Sequence, residues 1–487
     1  MKRFLYINII LIIVFLSINL LGQNYNDALI LSESGLYTGA RALSMGNSYS
    51  AISNDFSGVL FNPAGIGLIK KVQLSSGMNF NSFSNQTTFF NSTSDASKNT
   101  VSLNQFGIVY PLPTLKGSWV FAIGYNRVKD FNRTLEFDGF NSANNSMIQE
   151  LTGEYNEQIP ITNDLGLAYE ILEPNTEQYI RDTTLVNGML NQSGRIRKQG
   201  SIGKWSFASS LEVAKGFFIG GTFNILSGTF KSDSDFWEDD IEDIYGSNLE
   251  LIPGDPSTRD FQTFYLNDII DWNLSGWDAH LGFLYNWNDR FRVGASVKFP
   301  SNITVKETYY VDATSDFGTG TGYKLQPIVD KIEYGIKTPF EYSLGASGSF
   351  SIVTLSGDVK IIDYTSMEFN KGFDTQYRIE QKRQIEDLFT TVVNFHAGAE
   401  IKIPRLPILG RIGTMYMPSP FAGDPSEFDK KYITGGVGVI LANMFTVDVA
   451  YAYGWWKDFG DNYGVNVSRT FQDITVNNLI VNFSVNF

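Results

Sequence analysis

Asn478-Leu479-Ile480-Val481-Asn482-Phe483-Ser484-Val485-Asn486-Phe487 is the stretch that decides the fold. Leu479, Val481, Phe483, Val485 and Phe487 share one face of an extended chain, and Asn478, Ile480, Asn482, Ser484 and Asn486 share the other. A period of two is that of a strand with two unlike faces. The pattern returns upstream. Phe445, Val447, Val449, Tyr451, Tyr453 and Trp455 oppose Thr446, Asp448, Ala450, Ala452 and Gly454. Val393, Phe395, Ala397, Ala399 and Ile401 oppose Asn394, His396, Gly398, Glu400 and Lys402. Trp277, Ala279, Leu281, Phe283, Tyr285 and Trp287 make a further face, with rings at its ends and aliphatics between. Rings settle at the two interfaces of a bilayer, so this ordering marks a lipid-facing surface.

Composition narrows the classes. The chain of 487 residues has no Cys and two His, which removes disulfides and thiolate metal sites. A net charge of -14 leaves no basic footprint for nucleic acid. Aromatics reach 14%, with 38 Phe and 24 Tyr, while charged residues are 18%, as alternation between lipid and a wetter lumen requires.

Lys2 and Arg3, the apolar run Ile9–Leu16 and the small-residue stretch to Gly22 predict an export signal over 1–22, cleaved after Gly22. No later stretch approaches the ~20 apolar residues of a spanning helix. An exported chain that enters a membrane without helices must close into a barrel, because open strand edges are not tolerated in lipid.

Connection lengths set the topology. Lys215-Gly216, Asn288-Asp289, Ser351-Ile352 and Ala442-Asn443 are tight turns, and 111–116 and 404–407 are slightly longer. The intervening connections are long, notably 131–200, 231–271, 301–337 and 366–390. The sequence predicts an all-β, 14-stranded antiparallel transmembrane barrel, its strands beginning near Val72, Leu103, Ser118, Ile202, Phe217, Asn273, Arg290, Phe340, Val353, Val392, Leu409, Tyr432, Phe445 and Ile474. An even count returns both barrel ends to one side, and both termini are expected in the periplasm.

No catalytic, metal or cofactor site is expected. By alternation His280 and His396 face the lumen without a partner that defines a nucleophile. The acidic run 233–243 is read as a solvated loop in preference to a cation site against lipopolysaccharide.

One stretch has no place in the sheet. Residues 39–67 are rich in small side chains and hold Gly39-Ala-Arg-Ala-Leu-Ser-Met-Gly46, the pair Asn54-Asp55, and Phe61-Asn62-Pro63-Ala64-Gly65. In this order, ahead of such a barrel, they resemble the N-terminal hatch of the FadL/TodX family of outer-membrane transporters for long-chain fatty acids and other hydrophobic compounds. The resemblance implies a mostly helical hatch over 23–71 inside the lumen of a barrel over 72–487. Asn62, Pro63, Ala64 and Gly65 form the hatch motif, while Phe56, Leu60 and Phe61 line a pocket or pack the plug. It also implies a monomer that takes up a hydrophobic small molecule passively and releases it through the wall at a kinked third strand. That strand is Ser118–Arg127, where Gly124 and Asn126 are expected to interrupt the pairing. Phe483, Val485 and Phe487 resemble the signal read by the barrel-assembly machinery, and the expected surroundings are outer-membrane lipid and lipopolysaccharide. An accessory subunit of a secretion system, built on the same barrel, is the alternative.

Overall fold

The computed structural model describes residues 23–36, 39–152, 161–442, 444–464 and 467–487; the expected export signal and Asn443 of one turn lie outside these. Alternating burial runs through every long strand, for instance Trp119, Phe121 and Ile123 exposed between the buried Val120 and Ala122. Fourteen antiparallel strands close into one barrel. They are β1 (Gln73–Phe89), β2 (Ser92–Leu112), β3 (Trp119–Asp130), β4 (Leu190–Ala214), β5 (Phe217–Asp239), β6 (Phe261–Trp287) and β7 (Phe291–Lys298). The second half is β8 (Glu341–Phe350), β9 (Val353–Asp363), β10 (Thr391–Lys402), β11 (Ile408–Met417), β12 (Lys430–Leu441), β13 (Phe445–Asp461) and β14 (Arg469–Asn486). Closure is made by β1 on β14, from Gln73↔Asn486 to Thr88↔Phe471. At the short-turn rim Asn288, Asp289, Ser351 and Ala442 all adopt positive φ, the geometry that two-residue hairpins demand.

Several strands outrun the bilayer. β2 starts at Ser92 where Leu103 was expected, β4 at Leu190 where Ile202 was expected, and β6 at Phe261 where Asn273 was expected. Asn302–Phe317 prolongs β7, so that much of the predicted loop at this end is sheet. Asp233 and Asp235 likewise sit on β5, not in a loop; both contact Arg197, and Asn267 donates to both. Above the membrane an apolar core of Phe89, Phe137, Ile148, Leu190, Phe264 and their neighbours binds the extensions together. Its buried carboxylate, Glu238, accepts from the backbone nitrogens of Met147 and Ile148 at 2.7 and 3.2 Å.

Candidate functional site: a plugged lumen and a break in the wall

The N-terminal segment crosses the lumen. Helix α1 (Tyr25–Ser32) begins with an Asn24 and Asp27 capping box. It lies at the long-loop end, where Tyr25 meets Phe389 edge-on at 6.0 Å and Tyr377 donates to the carbonyl of Gln23. The first described residues are therefore at the opposite end from the barrel's own two ends. Ala28 and Leu31 bury against an apolar cluster of Phe230, Trp272, Ile303, Tyr334, Ile336 and Phe369. Helices α2 (Ala40–Ser44) and α3 (Gly58–Phe61), then the 3-10 turn Pro63–Leu68, continue down to the short-turn rim.

The segment from Gly39 onward is seated by close approach. A Cβ on wall residue Gly220, Gly282, Gly294, Gly398, Gly413 or Gly436 would lie 2.0–2.6 Å from Pro63, Asn62, Ser50, Met45, Gly46 and Ser44 respectively. Only hydrogen fits at those six positions. Wall hydroxyls then satisfy plug carbonyls: Ser118 donates to Gly67, Ser210 to Ala64, Thr222 to Val59 and Ser296 to Phe61, at 2.7–3.0 Å. Asp358 accepts from the nitrogens of Tyr49 and Ser50 at 3.0 and 2.7 Å.

Each motif residue has a place here. Asn62 donates to the carbonyls of Ser50 and Phe283 at 2.7 and 2.9 Å and accepts from the nitrogen of Ala64. Pro63 starts the 3-10 turn, where its missing N–H is not needed. A Cβ on Gly65 would strike Ser53 Oγ at 2.1 Å. Arg41 forks onto Glu400 at 3.0 and 3.1 Å and reaches Asn54 at 2.7 Å, so the Gly-Ala-Arg and Asn-Asp elements bind each other. Glu400 in turn accepts from Arg411, which continues to Asp448. Phe483 and Phe487 are exposed on the outer face, with Val485 half-buried between them.

Phe56 is fully buried with Val59, Ile66, Val109, Val120 and Ala122, while Leu60 and Phe61 border a cavity of about 140 Å³ above the plug. That cavity is not purely apolar. Leu31, Leu226 and Ile303 share it with Lys204, Lys298, Glu341 and His280. Lys298 and Lys360 both bond Glu341. His280 faces the lumen 3.6 Å from Asp278, but Asp278 is held by Lys204, Asn224 and Ser301. Ser301 thus addresses the carboxylate and not the imidazole, which is not the order a serine nucleophile needs.

The wall is broken between β2 and β3. Their ladder runs without interruption from Leu112↔Trp119 through Gly107↔Gly124 to Gln105↔Asn126, and there it stops. Gly124 is paired on both sides, while Asn126 is the last residue of β3 paired with β2; both also pair with β4, opposite Ser206 and Lys204. Gly124 stays in register because Phe56 fills the space its missing side chain leaves. The irregularity falls just beyond, between Arg127 and Lys129, and Gly35 of the plug passes against the carbonyl of Val128. Past this point β2 continues to Ser92 on β1 alone, while Arg133–Asn141 pairs only with β4. That segment crosses the inner face of β1, with Asn85 donating to the carbonyl of Thr134 and Phe137 4.8 Å from Phe89.

Fold and site together define a membrane β-barrel with a filled lumen and a discontinuous seam between β2 and β3. Solved structures with this architecture are the toluene transporter TodX of P. putida (12% identity, TM-score 0.55, 93% of this chain and 99% of that one) and a Pseudomonas aeruginosa FadL homologue (11%, 0.58, 93% and 98%). The monoaromatic hydrocarbon channel CymD is similar too (13%, 0.51, 92% and 97%). The chain thus has the FadL/TodX fold. No family model and no curated protein sequence matches it.

What sequence reasoning missed is the anchoring set: Arg41, Glu400, Arg411, Asp448 and the wall glycines. A signal was present, since charged residues at inward positions of spanning strands require partners. Which partners they find depends on strand register.

Proposed function

We propose that this chain is an outer-membrane channel for passive uptake of hydrophobic small molecules, held in the lumen above the plug and released sideways between β2 and β3. One observation carries the reading: the β2–β3 ladder ends at bilayer depth while the plug fills the lumen below. Gln105 is seven residues above Leu112 along β2. At ~3.3 Å per residue and ~40° of tilt this is roughly 18 Å above the short-turn rim, inside an apolar band ~25 Å tall. Val101 and Leu103, above the break, still expose apolar side chains. An unpaired strand edge at that depth is costly unless it lines a passage.

The three structural neighbours named above include transporters of toluene and monoaromatic hydrocarbons. Long-chain fatty acids suit this lumen better than a bare ring. Each methylene buried against apolar side chains contributes ~0.8 kcal/mol. The lysines around Glu341 offer ammonium groups to an anionic head. The barrel works as a monomer with both barrel ends periplasmic, and Phe487 is read by the assembly machinery.

The chain has no cysteine of its own, so Leu103→Cys and Val128→Cys can be joined across the break by a bifunctional thiol reagent. Uptake of labelled palmitate by cells that depend on this barrel should fall to background on cross-linking and recover when a cleavable linker is cut. Unchanged uptake after cross-linking overturns sideways release. Copurification with a protein translocon, with no lipid extracted, would favour the secretion subunit instead.

A further inference from the structure

The geometry points to Phe56 as the shutter of the wall opening: its ring fills a slot made by two register-opposed glycines, and it sets the width of what passes. The inference rests on the sideways release proposed above and adds the residue that controls it.

Gly107 of β2 and Gly124 of β3 face each other across the ladder, both on the lumen side. A Cβ on Gly107 would lie 2.2 Å from the Phe56 ring, and one on Gly124 would lie 2.4 Å from it. The ring therefore takes the volume of two absent side chains. It is fully buried, while its backbone nitrogen donates to Gln73 at 3.0 Å and fixes where the side chain starts. Its rung is two steps below the last pair, Gln105↔Asn126, so the ring borders the lower edge of the break.

On the lipid side the adjoining rung, Ile108↔Ile123, opens onto an apolar groove of about 630 Å³ that also includes Phe121, Phe207, Phe223 and Phe299. The groove lies on the outer face of the wall, one rung from the glycines that carry the ring. The contacts of this ring are apolar, with no directional bond to break. A ring turning about its side-chain bonds would free the lumen-side space over the two glycines, next to the lower edge of the break, without unseating the plug.

The test compares initial uptake of palmitate with that of a fatty acid of equal length ending in pyrene, in cells carrying the full chain. Phe56→Ala should raise the wide-to-narrow ratio several-fold. Gly107→Ala, which expels the ring, should do the same, and Phe56→Leu should be intermediate. Folding of each variant is checked by heat-modifiable migration on gels. An unchanged ratio in folded Phe56→Ala and Gly107→Ala barrels overturns the shutter. Applying the β2–β3 cross-link to Phe56→Ala separates the two readings. If it abolishes uptake while the ratio never moved, sideways release stands and the shutter falls. If both probes still enter, both readings fall.

Discussion

The plug has two unlike flanks. Toward β10–β13 it is latched by charge, in the chain Arg41–Glu400–Arg411–Asp448 with distances of 2.6–3.1 Å. Toward β2–β4 it is packed by Phe56, Val59, Ile66 and Ile69 against Val109, Val120, Ala122 and Ala208. Ion pairs and forked hydrogen bonds have one good geometry, and a shifted partner leaves a buried charge uncompensated. Apolar contacts lose little when a ring slides by a fraction of its width. The latched flank faces continuous wall, and the packed flank faces the break. The difference teaches that directional bonds fix the plug against the continuous wall, while beside the break its contacts are mainly apolar.

The largest effect that would break this contrast is Arg41→Ala. It takes the forked partner from Glu400, which keeps Arg411, and losing hydrogen bonds to a charged group costs about 1.5–3 kcal/mol each. Hydrogen exchange should show residues 39–69 losing protection while the strands keep theirs. Retained protection would mean that the glycine belt alone seats the plug. Next comes Gly413→Ala on the same flank, whose new Cβ would sit 2.2 Å from the Gly46 nitrogen. Overpacking of this kind costs about 1–3 kcal/mol, to be read as a lowered midpoint of thermal unfolding without a change in probe-width selectivity. A selectivity change there would erase the distinction between the flanks.

The smallest effect concerns α1, at the long-loop end of the plug. Burial, followed by the nearby Glu307 carboxylate, pushes the Asp27 carboxyl up to about 8. A carboxyl raised above its unfolded value favours the docked helix most fully below ~4, the unfolded pKa. That contribution declines as pH rises and is gone above about 8. Exchange protection of Tyr25–Ser32, corrected for intrinsic rates, should be greater at pH 6 than at pH 9, and Asp27→Asn should flatten the difference. A pH-independent helix would show that Asp27 does not couple docking to protonation.

Much of the barrel was legible because each strand reports its own environment. The alternation at Leu479–Phe487 and Phe445–Trp455 needs no partner to be read. The positive-φ turns at Asn288-Asp289 and Ser351 are equally local. The motif Asn62-Pro63-Ala64-Gly65 was visible as a pattern, but its work was not. Asn62 reaches Phe283 across more than two hundred residues, and no local signal encodes that bond. Gly124 shows the same limit. A lone strand glycine reads as an interruption, and only the ring of Phe56 above it explains why pairing continues.

By itself, then, the sequence determined that this chain spans a membrane as strands, how many there are, which faces meet lipid, and which stretch is left over to fill the lumen. These follow from period, turn chemistry and the demand that every backbone group in lipid be paired. Only the tertiary structure decided where the wall opens and how the plug is held. Both depend on register between strands far apart in the chain, and a shift of one residue would turn every inward glycine and carboxylate toward lipid.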